Sequence, residues 1–215
     1  MNNENYITEL VNRYPKLDNI KEKINDAYLV ICNAYKNGNK LLIAGNGGSA
    51  SDSDHIVGEL MKSFEYKHPI NQNLSLELAR VGGTDGVILS NNLETPLPAI
   101  ALTNHIGLST AYSNDVDGKC VFAQQLFGYG KTGDVFLAIT TSGNSKNVVL
   151  AAILAKTLGI KVIALTGNRH GEIEKYADVV IDVPESETFK IQELHLPIYH
   201  CICRMLENHY FGTQR

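Results

Sequence analysis

LLIAGNGGSASDSDHIVGE, residues Leu41 to Glu59, contains a strand, a turn and a helix in succession. The apolar run Leu41 to Ala44 lacks polar alternation, which suits a parallel strand covered on both faces. It enters a turn of Gly45, Asn46, Gly47, Gly48 and Ser49. A helical pattern carrying Ile56, Val57, Leu60 and Met61 leaves that turn, with Ser49 or Ser51 as the expected cap. Such a strand–turn–helix aims backbone N–H groups at whatever sits above the turn. His55 and Glu59, four residues apart, share one helix face, where they could hold a metal or move a proton.

Outward from this stretch, strands alternate with helices. Apolar runs at Pro98 to Leu102, Asp134 to Ile139, Lys161 to Leu165 and Val179 to Val183 read as four further strands. Helices are expected near Leu108 to Tyr112, ended by Ser113-Asn114-Asp115, and at Cys120 to Phe127, Val148 to Leu158 and Glu172 to Tyr176. A long helix from Ile191 to about Tyr210, bent at Pro197, closes the chain. The alternation predicts an α/β fold with a doubly wound, five-stranded parallel sheet. Before the sheet, apolar residues recur at helical spacing from Asn5 to Tyr35, divided by Pro15 and Asp18. This leading helical part, about 1–36, must bury its stripe, and a second copy of the chain is a reasonable cover. Pro69, Gly82-Gly83 and Asn91-Asn92 break any pattern between Glu65 and Leu93, which reads as loops around one short helix. No repeat or linker is visible, so one domain over 1–215 is expected.

Composition narrows the function. The chain has 215 residues, 44% of them hydrophobic and 20% charged, ordinary for a soluble globular protein. A formal net charge of −4 argues against nucleic acid as a partner. The polar start gives no signal peptide and no apolar run is long enough to span a membrane, so a cytoplasmic protein is expected. Cys32, Cys120, Cys201 and Cys203 lack paired metal spacing and read as reduced packing residues.

The glycine turn alone is ambiguous. Gly45-x-Gly47-x-x-Ala50 fits a dinucleotide fingerprint, but the acidic residue that should end a second strand is missing. Gly130-Lys131-Thr132 is no phosphate loop, since Gln125 replaces the first glycine and a strand follows. No nucleotide cofactor is therefore expected. The second turn, Thr140-Thr141-Ser142-Gly143-Asn144-Ser145, places four hydroxyls between a strand end and a helix start. Hydroxyls and N–H groups there suit a phosphate monoester. Two such turns above one parallel sheet lie where these sheets bind ligands. On the last helix, Gln192, Glu193, His195 and His200 are further candidates.

Taken in order, GNGGSASDSDHIVGE, SND, TTSGNS, ALTG and FKIQELHLPIYH resemble a sugar isomerase (SIS) domain of the phosphoheptose isomerase type. The resemblance covers most of the chain and implies a three-layer α/β/α domain in a homotetramer. It also implies conversion of sedoheptulose 7-phosphate to a heptose 7-phosphate, an aldose. Carried over by position, Ser49, Thr140, Thr141, Ser142 and Ser145 would bind phosphate. Asn46 and Asp115 would contact the sugar, Gly47 and Gly48 would let it approach the backbone, and Gln192 would reach it too. Glu59 and His200 would be the acid–base pair, and zinc would use His55, Glu59, Gln192 and His200. A carboxylate and an imidazole suit a proton shift between C1 and C2 through an enediol. Gln192 and His200 are eight residues apart, so about 12 Å along a straight helix. A non-catalytic SIS module binding a phosphosugar or a replication initiator is the alternative, and adaptors of that kind often lack the acid–base pair. Three positions depart from the family pattern: Ser63, beside Lys62, where an arginine is usual; Phe189, where an acidic residue is sometimes found; and the longer 65–93 segment.

Overall fold

The computed structural model describes residues 3–212. The chain begins with α1 (Asn3–Arg13), a 3-10 turn over Pro15–Ile20 and α2 (Lys21–Lys36). The break at Pro15 follows from its missing N–H. Next come β1 (Leu41–Ala44), α3 (Gly48–Leu60), α4 (Gln72–Asn92), β2 (Ala99–Ala101) and α5 (Ile106–Tyr112). They are followed by α6 (Val121–Tyr129), β3 (Val135–Ile139), α7 (Lys146–Thr157), β4 (Lys161–Gly167), β5 (Val179–Val183) and α8 (Thr188–Phe211). All strand pairs are parallel, in the order β2-β1-β3-β4-β5, which is the five-stranded α/β sheet the sequence predicts.

The two faces of the sheet are covered separately, and the alternation of side chains along each strand sorts them. Leu41, Ile43, Leu137, Ile163 and Ile181 join a core with α1, α2, α3 and α8. Leu42, Ala44, Phe136, Val162 and Ala164 face α6 and α7. Helices α3 and α7, which follow the neighbouring strands β1 and β3, thus lie on opposite faces. The crevice between those strand ends is the switch point at which open α/β sheets receive ligands.

Four local expectations are corrected. The stripe of α1 finds its cover within the same chain: Tyr6 and Leu10 are buried, and α1 packs along α8. Neither Ser49 nor Ser51 caps α3. The N-cap is Gly47, at φ 57° and ψ −121°, a conformation that favours glycine, and the helix begins two residues earlier than a Ser49 cap would allow. The α-helix does end at Tyr112, before Ser113-Asn114-Asp115, but these residues form no break, because the chain continues as a π turn over Ser113–Asp117.

The 65–93 segment departs most. It is a helical hairpin within α4, folded back at Gly83 (φ 53°, ψ −125°). The Ser75 and Ser90 hydroxyls hydrogen-bond across it. A side chain on Gly86 would collide with the Leu78 carbonyl oxygen, so the two arms touch backbone to backbone. The feet of the hairpin are joined: Thr95 N donates to His68 O at 2.8 Å, and Thr95 Oγ1 to Pro69 O at 3.0 Å. Gly86 is its buried residue, whereas Leu74, Leu76, Val81, Val87, Ile88 and Leu89 are exposed.

Candidate active site

At the switch point, the β1–α3 turn and the β3–α7 turn enclose a cavity of about 330 Å³. Asn46, Gly47, Gly48, Ser49, Thr140, Thr141 and Ser145 line it, with Thr188 and Gln192 from α8. The start of α3 and the start of α7 both meet this space, and the positive ends of two helix dipoles favour an anion there. Thr140 and Ser49 are buried, and Thr140 Oγ1 donates to Ser145 Oγ at 3.0 Å. Asn46 and Asn147 bridge the two turns through their side-chain amides. The Gln192 amide lies against the Gly48 backbone, where an added Cβ would come within 2.7 Å of Nε2.

Two expected members stand apart from this cavity. Ser142 turns its hydroxyl back onto the loop and accepts from Asn144 N at 3.2 Å. Asp115 is exposed on the π turn, where its carboxylate accepts from Asn114 Nδ2 at 2.8 Å.

The second group of residues lies farther along α3 and α8. His55 Nε2 is 3.0 Å from Glu59 Oε1 and 3.4 Å from His200 Nε2. Ligand atoms of these three residues all fall within 4.8 Å of one another, so they could hold a metal ion. The α3 spacing of three and four residues aligns Asp52, His55 and Glu59 on one face. On α8, Tyr199 and His200 meet that face. Tyr199 is buried, donates to Asp52 Oδ1 at 3.1 Å and stands 3.0 Å from His55 Nδ1. Phe64 packs on the His200 ring at 5.6 Å between centroids. The loop carrying Phe64 is held by the buried Glu207 carboxylate, which accepts from Glu65 N at 2.7 Å.

Burial, followed by the nearby His55, pushes the His200 pKa down, with Glu59 opposing. Burial pushes Asp52 up, against the Tyr199 hydrogen bond. His195, a third histidine considered on α8, is fully buried in the core, and burial pushes it down to about 4. It stands apart from the cluster, with Nε2 3.4 Å from Thr166 O.

An SIS domain family model matches residues 5–96 and 78–167, two stretches that overlap within and just after α4. Phosphoheptose isomerase from Sulfurimonas denitrificans is 37% identical over 195 residues, covering 91% of this chain and 87% of that protein. Among solved structures, a phosphoheptose isomerase from Francisella tularensis superposes with a TM-score of 0.75 at 30% identity, covering 95% and 96% of the two chains. The phosphoheptose isomerase of Neisseria gonorrhoeae gives 0.73 at 30% identity, covering 94% of each. The chain belongs to the phosphoheptose isomerase family of SIS-domain proteins. It is therefore a phosphosugar isomerase, and the adaptor alternative gives way.

Within this phosphoheptose isomerase fold, the departing positions have clear local roles. Ser63 replaces the usual arginine and binds the Glu94 carboxylate through its N–H, at 2.7 Å, and its hydroxyl. Lys62 beside it has its Nζ 3.4 Å from Glu59 Oε2. Phe189 is exposed, with Lys190 Nζ 5.6 Å from its ring centroid. Residues that sequence reasoning missed are Asn147, Thr188, Asp52 and Tyr199. Asp52 carried a signal, since it sits one helical turn before His55. Tyr199 did not, because its apolar ring fits the core stripe of α8.

Proposed function

We propose that the chain isomerises sedoheptulose 7-phosphate, or a sugar phosphate of similar length, to the corresponding aldose through an enediol. The observation that carries this reading is the separation of the two groups of residues along shared helices. From Ser49 to His55 is six residues of α3, about 9 Å, and from Gln192 to His200 is eight residues of α8, about 12 Å. An extended sugar phosphate of six or seven carbons spans such a gap. A triose phosphate does not.

In this reading the phosphate rests among Ser49, Thr140, Thr141 and Ser145, with Ser142 joining them once its hydroxyl turns from Asn144, and helix dipoles and hydroxyls offset its charge. Gly47 and Gly48 let the sugar lie close to the backbone. Asn46, Gln192 and Asp115 serve its hydroxyls, Asp115 after the π turn moves inward or from a second copy. Glu59 takes a proton from C1 while His200 gives one to the carbonyl oxygen at C2, forming the enediol. Glu59 then returns its proton to C2, and the C1 hydroxyl gives up its proton to His200, leaving the aldehyde and restoring both residues.

The cluster fits a zinc ion by its chemistry, two imidazole nitrogens and a carboxylate oxygen. His55, Glu59 and His200 would hold it. Gln192 is the fourth ligand that the family resemblance implies, and its side chain also lines the switch-point cavity. Bound there, zinc would polarise the sugar carbonyl.

We further read residues 1–215 as one domain, because α1 and α2 share a core with the sheet. Among the described residues no helix is long and apolar enough to cross a membrane, in keeping with a cytoplasmic enzyme. A homotetramer would cover the exposed apolar residues of the hairpin and of α5 and α6, among them Ile106 and Phe127.

The test is to incubate zinc-replete protein with a panel of ketose phosphates in deuterated water. Deuterium is expected at C1 and C2 of the seven-carbon substrate. No exchange with any member of the panel would sink the isomerase reading.

A further inference from the structure

We propose that Tyr199 and Asp52 form a positioning relay that fixes the tautomer of His55, so that its Nε2 lone pair faces Glu59 and His200. The inference deepens the function proposed above and rests on its assignment of the cluster as the reacting centre.

The argument starts from a proton count. A phenol has one proton to give. Tyr199 Oη lies between two acceptors, Asp52 Oδ1 at 3.1 Å and His55 Nδ1 at 3.0 Å. The hydroxyl donates to Asp52, so its oxygen is left to accept, and His55 Nδ1 must be the donor. A neutral imidazole with its proton on Nδ1 has a lone pair on Nε2. That nitrogen is the one 3.0 Å from Glu59 Oε1 and 3.4 Å from His200 Nε2. The arrangement therefore presents the His55 lone pair and a Glu59 carboxylate oxygen to one point beside His200 Nε2, which suits a cation there.

Tyr199 is built to hold this geometry. Its side chain is 2% exposed, so the ring cannot swing out, and it meets the His55 ring edge-on at 5.5 Å and the His200 ring at 5.0 Å. Asp52 is placed by α3 itself, one turn before His55. Partners of this outer kind fix the ring orientation and tautomer of a ligating histidine, and losing one typically weakens metal binding about 10–100-fold.

The test reads the tautomer directly, by long-range nitrogen–proton NMR of the metal-free protein at pH 8.5. Zinc affinity is then measured by competition with a chelator. In the unsubstituted protein His55 is expected as the Nδ1–H form. Tyr199→Phe should convert it to a mixture and raise the zinc Kd about 10–100-fold. Asp52→Ala should do the same, whereas Asp52→Asn, which keeps an acceptor for the phenol, should retain the tautomer. An Nε2–H form in the unsubstituted protein overturns the proposal, as does an unchanged tautomer and zinc affinity in Tyr199→Phe. If Tyr199→Phe fails to fold, the Ala and Asn variants at Asp52 decide. Absence of sugar exchange would overturn the isomerase reading alone, since the tautomer is measured without substrate.

Discussion

Asn46 and Asn147 are hydrogen-bonded to each other in both directions, Asn46 Nδ2 to Asn147 Oδ1 at 2.9 Å and Asn147 Nδ2 to Asn46 Oδ1 at 2.8 Å. This pair ties the turn after β1 to the first turn of α7, and so holds both halves of the switch-point cavity in register. Asn147 itself is not among the residues expected to touch substrate. Asn147→Ala removes two hydrogen bonds of about 1 kcal/mol each. The expected result in steady-state kinetics is a KM for the phosphosugar raised roughly 10- to 30-fold, with kcat changed about twofold or less.

Glu59→Gln keeps the shape of the side chain and removes its ability to accept a proton. Solvent exchange into the sugar should fall by about 10²–10⁴-fold, the usual worth of a general base. Phosphosugar binding, followed by calorimetry, should stay within a few-fold of the unsubstituted protein. An equal loss of binding would make Glu59 an anchor for the ligand instead.

His195 sets a pH dependence of stability. Its folded pKa is about 4, below the ordinary 6.5, because burial disfavours the imidazolium. Between those values the unfolded chain binds the proton that the folded chain refuses, so stability is full above pH 6.5 and lost as pH falls towards 4. The shift corresponds to about 3 kcal/mol. Calorimetric Tm measured from pH 7.5 to pH 4 should fall less steeply in His195→Met than in the unsubstituted protein. Parallel curves would show that other groups dominate the acid response.

The α4 hairpin adds little to the fold it projects from. Replacing residues 71–93 by a short glycine–serine turn joins chain ends that Thr95 already holds beside His68 and Pro69. The sheet and its two cores should survive, with Tm lowered by about 4 °C or less. Far-UV circular dichroism and calorimetry would check this, and a fully unfolded product would show that the hairpin is needed for folding.

The sheet and both ligand turns were legible because their signals are local. Unbroken apolar runs at Leu41 to Ala44 and Val135 to Ile139 mark strands covered on both faces, and Gly45 and Thr140 follow the two strand ends. His55 and Glu59 could be paired from their spacing alone. The hairpin was hidden for the opposite reason. Its arms meet through Ser75, Gly86 and Ser90 instead of a broad apolar stripe, and Gly82-Gly83 reads as a loop when it is a fold between two helices. Tyr199 was invisible because nothing in the sequence says that a core tyrosine of α8 will end beside Asp52. Gln192 and His200 were read together as zinc ligands. Gln192 lines the switch-point cavity and His200 stands in the metal-capable cluster, on a helix α8 that runs without interruption through Pro197.

That continuity of α8, matched by α3, makes the two helices a caliper. In the function proposed above, each carries an anchor for the phosphate end at one point and reactive groups at another, so reach is counted in residues. Adding or deleting one residue between Gln192 and His200 would turn His200 by about 100° around the axis and out of register with His55. Acceptance of a shorter sugar therefore cannot evolve by trimming side chains around the phosphate. It requires moving the acid–base pair by a whole turn, about 5.4 Å, on both helices at once.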